Sequence, residues 1–232
     1  MSKPPTHRFY KEHPLRCAPD DYWGQVRRTL HGAPVPEAQI LLIQRQVAAL
    51  LELSSDDWLL DLCCGNGALT TRWFEGCRGG LGVDFSGPLI DVAQRAFARP
   101  PDHSFVLASV GEFAARPAQD TPFTKASCYG SMQYLTVDQV SSLWTNLRQN
   151  HPTIERVVIG NIPDRDREPA FRGSRPPVDL DNPDSAIGVW WSPAVLRELL
   201  DAAGWRLHVH RMPSEFYAGH YRFDALLTPR EG

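Results

Sequence analysis

The stretch Leu59-Leu60-Asp61-Leu62-Cys63-Cys64-Gly65-Asn66-Gly67 decides the fold. An apolar run that ends in an acidic residue and a Gly-x-Gly turn reads as a strand, Trp58 to Leu62, then a tight turn and a helix from Ala68 to about Phe74. Such a turn aims backbone N–H groups and a helix N-terminus at a ligand. Gly65 and Gly67 let the chain turn and approach that ligand without a Cβ, and Asp61 can accept from a ligand ammonium or an intervening water. Taken alone, a Gly-x-Gly turn also suits a loop with no ligand at all. The next strand narrows the choice, because Gly82-Val83-Asp84-Phe85-Ser86 sets a second carboxylate at a strand end, 17 residues beyond Gly67. There it can take both hydroxyls of a ribose, so the two turns together point to a nucleoside.

Working outward, strand and helix patterns alternate, which predicts a parallel sheet with helices on both faces. Ile40, Leu41, Ile43, Val47, Leu50 and Leu51 recur at helical spacing within Pro34 to Leu53. Further strands are expected at Gly80 to Asp84, Phe105 to Leu107, Lys125 to Tyr129 and Ile154 to Ile159. Helices are expected from about Gly87 to Ala98 and from Val137 to Asn150. Ser192-Pro193 is a helix start that runs to Gly204, followed by strands near Trp205 to Met212 and Tyr221 to Leu227. The short connection between those two strands cannot make a parallel crossover, so they should be antiparallel. The expected fold is therefore an α/β, mostly parallel seven-stranded sheet with one antiparallel strand. Residues 162–189, rich in Pro, Asp and Arg, read as a lid or specificity insertion. Residues 1–33 read as an arm that caps the site, and 34–232 as the ligand-binding domain.

A dinucleotide fingerprint needs a third glycine, and position 70 is Thr70. Leu60 to Gly67 instead resembles motif I of class I S-adenosylmethionine (SAM)-dependent methyltransferases, and Gly82 to Ser86 resembles the acidic element after their second strand. The resemblance spans about Ser54 to Thr228, strongly in these two motifs and loosely beyond. It implies a Rossmann-like fold and SAM as cofactor. Asp61, Gly65 and Gly67 would surround the methionine half, Asp84 would hold the ribose and Phe85 would lie against the adenine, with Cys63 and Asn66 of the same loop also binding the cofactor. Where the family usually carries an acidic residue after strand three, this chain has Ala108-Ser109-Val110. Ser109 would then accept from the adenine amino group and the Val110 N–H would donate to the ring. The loop after strand four, Tyr129-Gly130-Ser131-Met132-Gln133-Tyr134, would lie beneath the sulfonium, with Gly130 against the cofactor and Ser131 and Tyr134 as catalytic candidates. An Asp often found at the start of that strand is absent, as is the Asn-Pro-Pro-Tyr signature of nucleic-acid amino methyltransferases. Asn161, at the carboxyl edge after strand five, is a third catalytic candidate, able to hold an amine or hydroxyl.

The arm contains Asp20-Asp21-Tyr22-Trp23-Gly24-Gln25-Val26-Arg27-Arg28-Thr29, too polar and aromatic for a tether. Aromatic faces attract a sulfonium, and an arginine clamps a carboxylate in bidentate fashion. Arg28 is therefore expected on the methionine carboxylate, with Tyr10, Tyr22 and Gln25 as neighbours. A formal charge of −3 leaves no basic excess, which argues against a nucleic acid partner. No apolar run is long enough to span a bilayer and the N-terminus lacks the apolar core of a signal peptide, so a cytoplasmic protein is expected. Five cysteines without zinc-ligand spacing suggest reduced thiols and no metal. The function expected is methyl transfer from SAM to a small polar molecule. The alternative is a SAM cyclase, in which the SAM amine attacks its own side chain to give azetidine-2-carboxylate and methylthioadenosine. A third possibility is a SAM-binding protein without catalysis.

Overall fold

The structure, a computed structural model, describes residues 6–118, 123–174 and 176–230. Residues 1–5 of the arm, residue 175 of the 162–189 segment and residues 119–122 and 231–232 of the domain lie outside the described residues.

The chain opens with helix α1 (Thr6–Glu12), a 3-10 turn (Pro14–Arg16), helix α2 (Tyr22–Gln25) and a small hairpin of β1 (Thr29–Leu30) and β2 (Ala33–Pro34). Helix α3 (Glu37–Leu51) leads into β3 (Trp58–Leu62), α4 (Thr70–Phe74), β4 (Gly79–Asp84), α5 (Gly87–Phe97), β5 (His103–Leu107) and α6 (Val110–Ala114). After β6 (Lys125–Tyr129) and a 3-10 turn (Met132–Tyr134) come α7 (Val137–Asn150), β7 (Arg156–Pro163), α8 (Glu168–Arg172), α9 (Pro193–Ala202), β8 (Trp205–His210) and β9 (Arg222–Pro229). The main sheet has the order β5-β4-β3-β6-β7-β9-β8, with β9 antiparallel to both neighbours and the other strands parallel. This is the mixed sheet expected from the sequence.

Adjacent side chains of a strand point to opposite faces, and the two cores follow that parity. Leu59, Val158 and Leu226 join Ile40, Ile43 and Phe74 on one face, whereas Leu60, Leu62, Val157, Ile159 and Leu227 join Trp144 and Trp205 on the other. Asp61 shares the face of Leu59, and the register sets it directly beside Ser127 of β6. Helix α7 begins where the sequence places it because Thr136 and Gln139 form a reciprocal capping box. Ser192 occupies the N-cap of α9 without a side-chain cap bond; its hydroxyl donates to Asp166 instead, at 3.4 Å.

Three expectations shift. The fifth expected strand ends at Ile159, but β7 runs to Pro163 through a bulge at Asn161, which takes a left-handed φ of 62° and donates its N–H to Asp224 (2.7 Å). A carboxylate contributed by a distant strand makes that conformation tolerable. The 162–189 segment is less open than its composition suggests: it holds α8, and it returns to the core through buried Val189, Trp190 and Trp191. The arm is helical in part, although α1 contains no buried residue. Among the described residues, no helix is long and apolar enough to cross a membrane.

Gly67 sets how closely the helical layer approaches the sheet. Its φ is +78°, and a Cβ there would stand 2.8 Å from the Phe105 ring and 3.1 Å from Ala93. Gly67→Ala combines a left-handed backbone with overpacking, so we expect it to lower folding stability by about 2 to 4 kcal/mol, read as a shift in the urea midpoint at unchanged slope.

Candidate functional site

At the carboxyl ends of β3, β4 and β6 the chain encloses a cavity of about 250 Å³. Its floor is the strand end and turn at Asp61, Cys63, Cys64, Gly65 and Asn66. Cys63 and Gly65 take left-handed φ values of 60° and 58°, which turns the Gly65 N–H onto Asp84 Oδ2 at 2.9 Å. The Ser86 N–H donates to Asp84 Oδ1, also at 2.9 Å. Asp84 thus fixes the two strand ends relative to each other while facing the cavity. Burial raises its pKa, and the N–H groups of Ser86, Gly65 and Phe85 pull it down.

Asp61 also lines the cavity, but its oxygens are engaged from within: Ser127 Oγ donates to Oδ1 (2.6 Å) and Thr70 Oγ1 to Oδ2 (2.5 Å). Burial pushes its pKa up to about 6 against the pull of those two hydroxyls, with Asp84 adding repulsion and Arg28 attraction. Thr70, first noted as the residue that breaks a dinucleotide fingerprint, has the positive task of bridging α4 to β3.

The arm forms the opposite wall. Arg28 lies over the Tyr129 ring, 5.1 Å from its centroid, and its Nε is buried without a hydrogen-bond partner. Among the described residues no carboxylate forms an ion pair with it. Tyr10 faces Tyr134 with ring centroids 5.9 Å apart, and the Tyr10 carbonyl accepts from Ser86 Oγ (2.6 Å). His7 stacks on Phe85 at 4.5 Å and an interplanar angle of 17°. A Cβ on Gly65 would come within 3.0 Å of Val26, so this glycine admits the arm as well as a ligand.

Of the residues singled out from sequence, the structure brings together Asp61, Cys63, Gly65, Asn66, Asp84, Phe85, Ser109, Val110, Gly130, Ser131, Tyr134, Tyr10 and Arg28 around this one cavity. Four stand elsewhere. Gly67 faces Phe105 and Ala93. Gln25 is buried and donates to the Ala18 and Pro19 carbonyls, while Asn66 donates to its Oε1 (2.9 Å) and to the Tyr22 carbonyl (2.7 Å). Those contacts make Gln25 and Tyr22 fasteners between arm and loop, with the Tyr22 ring packed on Phe97. Asn161 sits behind Gly130, its Nδ2 3.6 Å from where a Cβ at Gly130 would be, outside the cavity wall. Sequence reasoning missed Trp23, Trp73, Leu89 and His7 as lining residues. Trp73 lies in a helix whose apolar pattern reads as core, and nothing local marks which of its faces meets a cavity. Cys63 and Cys64 have pKa values raised well above the ordinary thiol, Cys63 mainly through its hydrogen bond with Cys128 and Cys64 through burial, so neither is poised as a thiolate nucleophile.

Because the folded Asp61 holds its proton up to about pH 6, above the unfolded carboxyl, its contribution to stability is present below the unfolded pKa and lost as pH rises through about 6. The effect is about 3 kcal/mol at most. Denaturation midpoints of wild type and Asp61→Asn should therefore diverge between about pH 4 and pH 6, the wild type losing ground to the variant. Parallel curves would contradict the raised pKa.

Comparison with known proteins agrees with this geometry. Residues 59–150 match a family described as a methyltransferase domain. An uncharacterized methyltransferase of Schizosaccharomyces pombe is 34% identical over 76 residues, a match covering 33% of this chain and 27% of that protein. Among solved structures, magnesium protoporphyrin IX methyltransferase from Synechocystis with bound S-adenosylhomocysteine (SAH) superposes with a TM-score of 0.65 at 14% identity, over 97% of this chain and 98% of that one. A SAM-dependent methyltransferase from Clostridium acetobutylicum gives 0.63 at 13% identity, over 89% and 97%. At such identities these structures speak for the fold, while the family match covers the loop, both acidic strand ends and the wall at β6. Residues 59–150 are thus similar to a methyltransferase domain, and the sheet has the Rossmann-like order of the methyltransferase structures it superposes on.

Proposed function

We propose that the cavity holds SAM and that the protein transfers its methyl group to a small polar molecule. The observation that carries this reading is the Asp84 carboxylate, held by the Gly65 and Ser86 N–H groups at a strand end and turned toward a cavity with an unpaired arginine on its far wall. SAM fits that donor set. Asp84 would take the ribose hydroxyls, Phe85, Ser109 and Val110 would frame the adenine, and Arg28, whose Nε lacks a partner, would take the methionine carboxylate. Trp23, Trp73, Tyr10 and Tyr129 offer aromatic faces to a sulfonium.

Bound SAM supplies a methyl group on a cationic sulfur that is also a good leaving group. What remains for the chain is to align the acceptor in line with the S–CH₃ bond and to exclude water. The acceptor would supply the lone pair for the new bond and lose its proton to solvent, and SAH would be the leaving group. Tyr134 and Ser131, on the loop after β6, are the groups we assign to orienting the acceptor. A small acceptor is supported by the closure of the site by the arm and by the absence of a basic excess in the chain. The cyclase alternative gains nothing from the family and structures named above.

Incubating the purified protein with SAM, with and without an acceptor library, and identifying products by mass tests this reading. SAH together with a methylated acceptor is the expected result; methylthioadenosine with a cyclic amino acid, in the absence of acceptor, would overturn it in favour of cyclisation. Asp84→Ala should weaken SAM binding by at least about tenfold, a loss of about 1.4 kcal/mol in calorimetry.

A further inference from the structure

A second cavity, of about 320 Å³, adjoins the first and shares Thr6, Tyr10 and Tyr134 with it. The two tyrosines therefore line both spaces where they adjoin. The rest of the second cavity comes from the arm, through Phe9, His13 and Arg27, and from the 184–186 segment. This explains why a segment read from sequence as a specificity insertion is folded back onto the arm: the Thr6 N–H donates to Asp184 Oδ1 at 2.7 Å, and Thr6 Oγ1 to the Pro183 carbonyl at 3.2 Å.

Two exposed side chains of opposite charge line it. Arg27 lies over the Phe9 ring, 5.1 Å from the centroid, and among the described residues no carboxylate pairs with it. Asp184 accepts one backbone N–H and forms no ion pair with Arg27 or with any other described cation. A cation and an anion facing one cavity without neutralising each other complement a ligand that bears both charges. A carboxylate on that ligand suits the planar fork of the guanidinium, and an ammonium suits the carboxylate. Phe9, Tyr10 and Tyr134 supply apolar faces for the remainder of the molecule.

We propose that this second cavity is the acceptor site and that it takes a zwitterion of the amino-acid type, its carboxylate on Arg27, its ammonium on Asp184 and its side chain directed past Tyr10 and Tyr134 toward the first cavity. The inference rests on the methyltransferase reading above and deepens it by naming the acceptor class. The side-chain end, being nearest the cofactor cavity, carries the atom that receives the methyl group.

Calorimetric titration of the protein saturated with SAH, using the protein amino acids one at a time, tests the assignment. At least one should bind, and Arg27→Gln and Asp184→Asn should each weaken it by about tenfold while SAH affinity and the thermal midpoint stay at wild-type values. Binding of none of them, or binding unchanged in both variants, overturns the proposal. So does benzoate binding as tightly as any amino acid and indifferently to Asp184→Asn, because one charge would then suffice. Failure of SAH itself to bind is a separate result that removes the cofactor reading, and this assignment with it.

Discussion

A carboxylate buried at the end of a central strand must be hydrogen-bonded or neutral, and the architecture around this site is organised by that requirement at Asp61. Ser127 reaches it because β6 pairs with β3 in the one register that sets the two residues side by side. Thr70 reaches it because the glycine turn brings α4 back over the strand end. One side chain thus ties together two strands, a loop and a helix. A second carboxylate, Asp84, repeats the device one strand over by accepting from Gly65. These two groups fix the loops from within, and the packing of Phe105 and Ala93 against Gly67 fixes them from outside.

Much of the fold was legible because its signals are local. Periodicity, glycine turns and acidic strand ends at Asp61 and Asp84 each depend on a few neighbouring residues, and β3, β6 and α7 fall at the expected bounds. Elements that depend on distant partners were not legible. Asn161 looks like the end of a strand until Asp224, from another strand, is seen to satisfy its N–H. Helix α6 is too short for a period to show, and α8 lies in a stretch whose composition speaks for a loop.

The site divides along the same line. Residues fixed by strand ends and turns, such as Asp84, Gly65 and Ser109, were identified from motif and spacing. In the arm, sequence could mark the right segment but could not say which side chains face inward. Arg28 and Tyr10 line the cavity, while Tyr22 and Gln25 are consumed in fastening the arm to Asn66. The contribution of His7 and Trp23 depends on how the arm docks, a tertiary fact with no periodic trace. Gly67 shows the converse: a motif residue expected beside a ligand proves to be a packing residue, because its missing Cβ makes room for Phe105.

Helix α1 has no fully buried residue, and its hold on the domain comes from polar and stacking contacts at Thr6, His7 and Tyr10. A segment anchored so lightly sits at the low end of the local stability spectrum and exchanges its amide hydrogens through local opening, without global unfolding. Any molecule seated against His7 and Tyr10 adds contacts that exist only while the helix is docked. Part of its binding free energy then goes into ordering the arm, and the protection of the α1 amides rises in step with occupancy.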